Sequence, residues 1–133
     1  MPCNVEHTPE EWRRILTADQ YRVLRKEGTE PPFANAYWDE HRDGAYRCAG
    51  CGTLLFEARD KYDSGTGWPS FSRPSSDDAV EEHVDRSLGA VRTEVHCARC
   101  CGHLGHVFDD GPAPTRLRFC MNSAALVFEP HES

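Results

Sequence analysis

Arg118-Phe119-Cys120-Met121-Asn122-Ser123 alternates polar and apolar side chains with a period of two. Read as a strand, it sends Arg118, Cys120 and Asn122 to one face and anchors Phe119 and Met121 on the other. Cys120 stands apart from the other cysteines, with a guanidinium and an amide as its neighbours. A cation close to a thiol stabilises the thiolate, its reactive form. A buried structural cysteine is the commoner fate of a free thiol, so this stretch alone leaves both readings open.

Working outward, short apolar or alternating runs recur from Phe33 onward, separated by Gly, Pro, Asp and Asn. They cover 45–48, 54–56, 91–97, 106–108, 117–121 and 125–128. Each has strand length and carries β-branched or aromatic residues. Residues 91–96 alternate as a half-exposed strand does, and 73–80 reads as a loop by composition. Ahead of these runs, Thr8-Pro9-Glu10-Glu11 opens a helix with a capping box and Pro at its first position. A second box, Thr17-Ala18-Asp19-Gln20, opens another helix that Gly28 ends and Pro31-Pro32 prevents from continuing. The chain therefore reads as an antiparallel β domain over residues 9–131, preceded by a flexible segment over 1–8, with the short helices packed at its periphery.

The 133 residues fit one domain with a real core. A formal charge of −7 argues against nucleic acid, because phosphate binding needs a basic patch. With 38% hydrophobic residues and a mean hydropathy of −0.67, the chain has no apolar run long enough to span a bilayer. Residues 1–11 lack the basic and apolar regions of a secretory signal, so the cytoplasm is the expected location. Nothing in the pattern demands a dimer, and a monomer is expected. Seven cysteines in such a chain point to metal or redox chemistry rather than to a disulfide scaffold.

Cys48-Ala49-Gly50-Cys51 and Cys97-Ala98-Arg99-Cys100 are two Cys-x-x-Cys knuckles. Each can turn two thiolates toward one point, and together they complete a tetrahedral site for zinc, or for iron in its place. Four protein thiolates leave no open coordination position, so one structural zinc per chain is expected. The competing reading is two pairs of free or redox-active thiols. Cys101 adjoins the second knuckle as a packed residue or a spare thiol.

Gly102-His103-Leu104-Gly105-His106-Val107-Phe108 carries two histidines three residues apart. Imidazoles satisfied by loop backbone are the default for either alone; beside a lone thiol, they become candidate proton donors near neutral pH. Ser64-Gly65-Thr66-Gly67-Trp68-Pro69-Ser70-Phe71 is a glycine-rich turn delivering two aromatics. They serve either as core plugs or as a wall for a small apolar group such as a methyl on sulfur.

These stretches, with Asp110-Gly111-Pro112 and the segment around Cys120, stand in an order that resembles the peptide-methionine (R)-S-oxide reductases, the MsrB family, over roughly residues 10 to 130. The resemblance implies a mainly β fold of two antiparallel sheets forming one domain, with two or three short peripheral N-terminal helices and a structural zinc held by Cys48, Cys51, Cys97 and Cys100. It implies that Cys120 attacks the sulfoxide sulfur and becomes a sulfenic acid. His103, His106 and Asn122 would surround the sulfoxide oxygen, Arg118 would favour the thiolate, and Trp68 would hold the substrate methyl with Phe71 and Phe108 nearby. The implied role is repair of oxidatively damaged proteins, with protein-bound or free methionine (R)-sulfoxide as substrate and thioredoxin or another thiol as reductant.

Many members of that family carry a resolving cysteine where this chain has Thr66. Three substitutes are open: Cys3 on the N-terminal segment, an external thiol, and Cys101. Two rival functions also remain, a non-catalytic interaction module that binds zinc through its four knuckle cysteines and a reductase for the (S)-epimer. The second belongs to an unrelated family whose nucleophile motif is absent here.

Overall fold

Thr8 and Thr17 each accept a hydrogen bond from the main-chain N–H three residues on, and the side chains of Glu11 and Gln20 return the contact. Two reciprocal capping boxes thus start α1 (Pro9–Ile15) and α2 (Ala18–Lys26) in the computed structural model, which describes residues 5–86 and 91–131. The turn that ends α2 differs in detail from the sequence reading. The left-handed residue is Glu27 (φ 57°), and the N–H of Gly28 closes on the Arg22 carbonyl at 2.8 Å. Both helices turn apolar residues inward: Trp12 from α1, Val23 and Leu24 from α2.

The strands are β1 (Gly44–Cys48), β2 (Leu54–Glu57), β3 (Lys61–Tyr62), β4 (Ser70–Phe71), β5 (Val80–Asp85), β6 (Arg92–Cys97), β7 (His103–Phe108), β8 (Arg118–Met121) and β9 (Leu126–Pro130). They form two antiparallel sheets, a three-stranded β2-β1-β9 and a six-stranded β3-β4-β8-β7-β6-β5. The mainly β class with two sheets and short helices is therefore what the chain adopts.

Alternation decides which side chains fill the space between the layers. Phe71, Phe119, Met121 and Val95 point inward and meet Tyr46, Leu55 and Phe56 of the smaller sheet, all essentially inaccessible. Phe56 stacks on Phe71 with centroids 4.4 Å apart, and Tyr46 meets Phe71 edge-on at 5.1 Å. Truncating any one of these buried rings to alanine would cost about 3–5 kcal/mol.

The opposite face of the large sheet is polar. Tyr62, Ser70, Cys120, His106, Glu94 and His83 pair in register across six strands as one row. That row positions the chemistry. Gly105 on β7 lets it form so tightly, because a Cβ there would run into the Cys120 carbonyl. Among the described residues, no helix is long and apolar enough to cross a membrane.

Candidate active site

Cys120 lies mid-row on β8, half-buried in a cavity of about 280 Å³ whose walls include Thr66, Trp68, His106, Phe108, Arg118 and Asn122. Burial pushes its thiol above the ordinary value. The positive charge of Arg118 and hydrogen bonds from Thr66 and Arg118 oppose that rise. Arg118 thus works in the expected direction, but burial outweighs it. Arg118 itself is aimed by a bidentate pair to Asp110, at 2.8 and 3.2 Å, and its guanidinium lies over the Phe108 ring at 4.4 Å. The single phenyl ring of Phe108 therefore serves both the pocket wall and the cation.

Trp68 is presented by the glycine-rich turn. Gly65 (φ 75°) and Gly67 (φ 89°) adopt left-handed conformations that side chains disfavour. The Ser64 hydroxyl lies 2.8 Å from both the Thr66 and Ser70 hydroxyls, which fixes Thr66 beside Cys120. The loop after α2 completes the wall. The main chain of Glu30 accepts from the Trp68 indole N–H at 2.9 Å and donates to the Asn122 side-chain oxygen at 3.0 Å. Asn122 Nδ2 donates to the Leu104 carbonyl at 3.1 Å, leaving one amide hydrogen for the pocket. Burial raises the Glu30 carboxyl pKa, although it accepts from the Ala124 N–H at 3.1 Å.

Two expected pocket residues sit elsewhere. Phe71 is fully buried between the sheets, because its neighbour Ser70 takes the Cys120 face and alternation turns Phe71 to the other. It is a core residue and does not touch the cavity. His103 is buried behind His106, ring centroids 5.5 Å apart and edge-on, with Nδ1 2.5 Å from the Glu94 carboxylate. An irregularity in the β6–β7 pairing between Val95 and His96 separates the two histidines: His106 enters the pocket and His103 supports it. Sequence reasoning missed Thr29, Arg92, Glu30 and Glu94. Only Arg92 left a usable signal, since alternation along 91–96 puts it on the face of Glu94.

The Cys48–Cys51 knuckle leaves β1 and the Cys97–Cys100 knuckle leaves β6, so the four thiols join the two sheets. Cys48 Sγ lies 3.6 Å from Cys100 Sγ, and Cys51 Sγ lies 3.6 Å from Cys97 Sγ. Four Zn–S bonds of 2.3 Å in a tetrahedron would set the sulfurs ~3.8 Å apart, so the cluster already has the dimensions of such a site. The Gly50 N–H donates to Cys48 Sγ at 3.3 Å, and the Thr53 hydroxyl lies 3.0 Å from Cys51 Sγ. These four cysteines can hold a metal ion.

Cys101, in a left-handed conformation beside this knuckle, is disulfide-bonded and lines a different cavity from Cys120. It is therefore not a free thiol poised to resolve Cys120. Cys3 lies outside the described residues.

The SelR domain family matches residues 16–130, a span that carries the Cys120 pocket and all four clustered cysteines. The chain is 59% identical over 121 residues to a protein of Bradyrhizobium diazoefficiens named peptide methionine sulfoxide reductase MsrB, a match covering 91% of this chain and 87% of that one. Proteins of the same name from Thiobacillus denitrificans and Acinetobacter baylyi are 54% and 53% identical, over 99% and 94% of this chain and 100% and 90% of theirs. The chain belongs to the MsrB family of peptide methionine sulfoxide reductases.

Proposed function

We propose that the protein is an enzyme that reduces methionine (R)-sulfoxide to methionine, with Cys120 as the nucleophile. The observation that carries this reading is the convergence of Cys120, His106, Arg118 and Trp68 on one cavity. The cavity suits a thioether with one small substituent. The sulfoxide methyl rests on Trp68, held by Glu30, while the oxygen faces His106 and the remaining Asn122 amide hydrogen. A chiral sulfur bound at three points admits one epimer.

Sulfoxide oxygen leaves sulfur only when it is protonated, so the step needs an acid on the oxygen side. The Cys120 thiolate attacks the sulfur as His106 delivers a proton to the oxygen. The S–S bond formed in the attack then breaks as the protonated oxygen passes from the substrate sulfur to Cys120, so methionine leaves with the bonding pair and Cys120 carries the hydroxyl as sulfenic acid, two electrons having passed from the thiol to the substrate. Arg118 steadies the thiolate, and His103 holds the His106 ring through its edge-on contact, itself anchored by Glu94.

With the Thr66 hydroxyl beside Cys120, recycling falls to an external thiol. That thiol condenses with the sulfenic acid, releasing water, and a second thiol such as thioredoxin reduces the mixed disulfide. Cys48, Cys51, Cys97 and Cys100 would hold one structural zinc through their thiolates. In this reading the protein is a cytoplasmic monomer that repairs oxidised proteins and also accepts the free amino acid sulfoxide.

The test is turnover of the two separated epimers of a methionine sulfoxide peptide with dithiothreitol. The wild type should consume only the (R)-epimer, and Cys120→Ser should consume neither. Activity retained by Cys120→Ser, or a preference for the (S)-epimer, overturns the assignment.

A further inference from the structure

On the same polar face, two strands beyond Cys120, a second cluster of metal-binding side chains is left unused by the reaction. We propose that His83, Glu94 and His96 form a second metal site, for a borderline divalent ion such as Zn²⁺ or Ni²⁺. Strand register builds it. His83 on β5 pairs directly with Glu94 on β6, and His96 follows Glu94 by two residues on the same face. Each side chain offers a ligand atom within 4.8 Å of the other two. A tetrahedral centre with bonds of 2.0–2.1 Å needs its ligands ~3.4 Å apart, so the His83–Glu94 pair must open to admit the ion, a movement the imidazole of the edge strand can make by turning. His83 has that freedom, its side chain being 55% exposed.

The supporting contacts are those of a metal site. Glu94 is buried, with one carboxylate oxygen 2.5 Å from His83 Nε2 and the other 2.5 Å from His103 Nδ1, so its position is fixed from behind. Glu81 sits 3.1 Å from His96 Nε2, which leaves the opposite ring nitrogen to face an ion. Carboxylates that grip the far side of ligating imidazoles orient and strengthen them. In front of the cluster lies a cavity of about 370 Å³ open to solvent, with room for water or an exogenous ligand in a fourth position. The guanidinium on its wall, that of Arg25, is committed to the Cys100 carbonyl at 2.8 Å and to the Trp12 ring at 4.6 Å, while Glu27 adds a negative neighbour.

Two imidazoles and one carboxylate suit zinc, nickel or copper rather than magnesium or calcium, which take oxygen ligands. The site is distinct from the four-cysteine cluster. Alternation turns His96 outward and its neighbour Cys97 into the core, so the two sites occupy opposite faces of β6.

The test uses protein loaded with one equivalent of zinc in the cysteine cluster. Titration with Ni²⁺ in a calorimeter should reveal one further equivalent. His83→Ala, at an exposed site, and His96→Ala, at a half-buried one, should each weaken it by about tenfold or more. His41→Ala, an exposed histidine elsewhere, should leave it unchanged. Co²⁺ added to the same zinc-loaded protein should give weak ligand-field absorption without intense thiolate charge-transfer bands. No Ni²⁺ binding, binding unmoved by both histidine variants, or Co²⁺ spectra dominated by thiolate charge transfer would each overturn the proposal.

Discussion

Glu94 and His103, both buried, meet with carboxylate oxygen and Nδ1 2.5 Å apart, and His103 in turn presses its ring edge-on against His106. The contact runs from β6 to His106 on the wall of the Cys120 pocket, and neither Glu94 nor His103 lines that pocket itself. It assigns His103 a positioning role and makes Glu94 the anchor of the proposed acid. Glu94→Gln keeps the shape but loses the charge-assisted bond, so His106 is held less firmly. Turnover number should fall by about tenfold with KM little changed, because the defect lies in orienting the acid rather than in the methyl site. Steady-state kinetics on the (R)-sulfoxide check this. A rise in KM at unchanged turnover would place Glu94 in binding instead.

Thr66 lines the Cys120 cavity from a turn flanked by two left-handed glycines. A thiol at that position would replace the hydroxyl without rebuilding the loop. Thr66→Cys should therefore create an internal partner for the sulfenic acid. Treating this variant with one equivalent of substrate should yield a disulfide between positions 66 and 120, seen by peptide mapping. Thioredoxin should then support a larger share of the dithiothreitol rate than it does in the wild type. A variant that remains a sulfenic acid would show that the turn holds the two side chains too far apart.

Much of this arrangement is legible in the sequence. The capping boxes at Thr8 and Thr17 mark both helices, since side chain and backbone satisfy each other locally. Alternation marks β6 and β8, and paired Cys-x-x-Cys spacing marks the four-thiol cluster. The failures have physical causes. β5 (Val80–Asp85) is missing from the strand-like runs because it is an edge strand, held on one side only and dressed in charge. β3 and β4 are two residues each, too short for any period to show. Glu94 reads as a solvated residue of a half-exposed strand, but histidines from β5 and β7 cover it. No local pattern in β6 announces what its neighbours carry.

Removing metal from the four-cysteine cluster should destabilise the whole domain, because Cys48 and Cys97 end strands of different sheets. Cys51→Ser removes one ligand and leaves three crowded thiols without their ion. We expect loss of about 3 kcal/mol or more, equivalent to about 10 °C in Tm. Chelation of the wild type should produce the same shift. Thermal unfolding with parallel metal analysis tests both, and a chelated protein that unfolds at the native temperature would remove the structural role.

The reactivity of Cys120 should carry the opposing influences on it. Burial favours the neutral thiol, whereas Arg118 and the Thr66 hydroxyl favour the thiolate, and burial is the larger. The free enzyme should therefore alkylate at Cys120 with a pH midpoint above the ordinary thiol value of 9.0, the rate climbing as pH rises through it. Removing the cation leaves burial less opposed, so Arg118→Met should move the midpoint higher and slow alkylation severalfold at neutral pH. Asp110→Asn should act in the other direction. The guanidinium it releases is no longer neutralised by its bidentate partner, and its full charge bears on the sulfur. Peptide-resolved iodoacetamide rates between pH 6 and about 10 separate these cases. If Arg118→Met lowered the midpoint, the guanidinium would be stabilising the thiol through its packing rather than the thiolate through its charge.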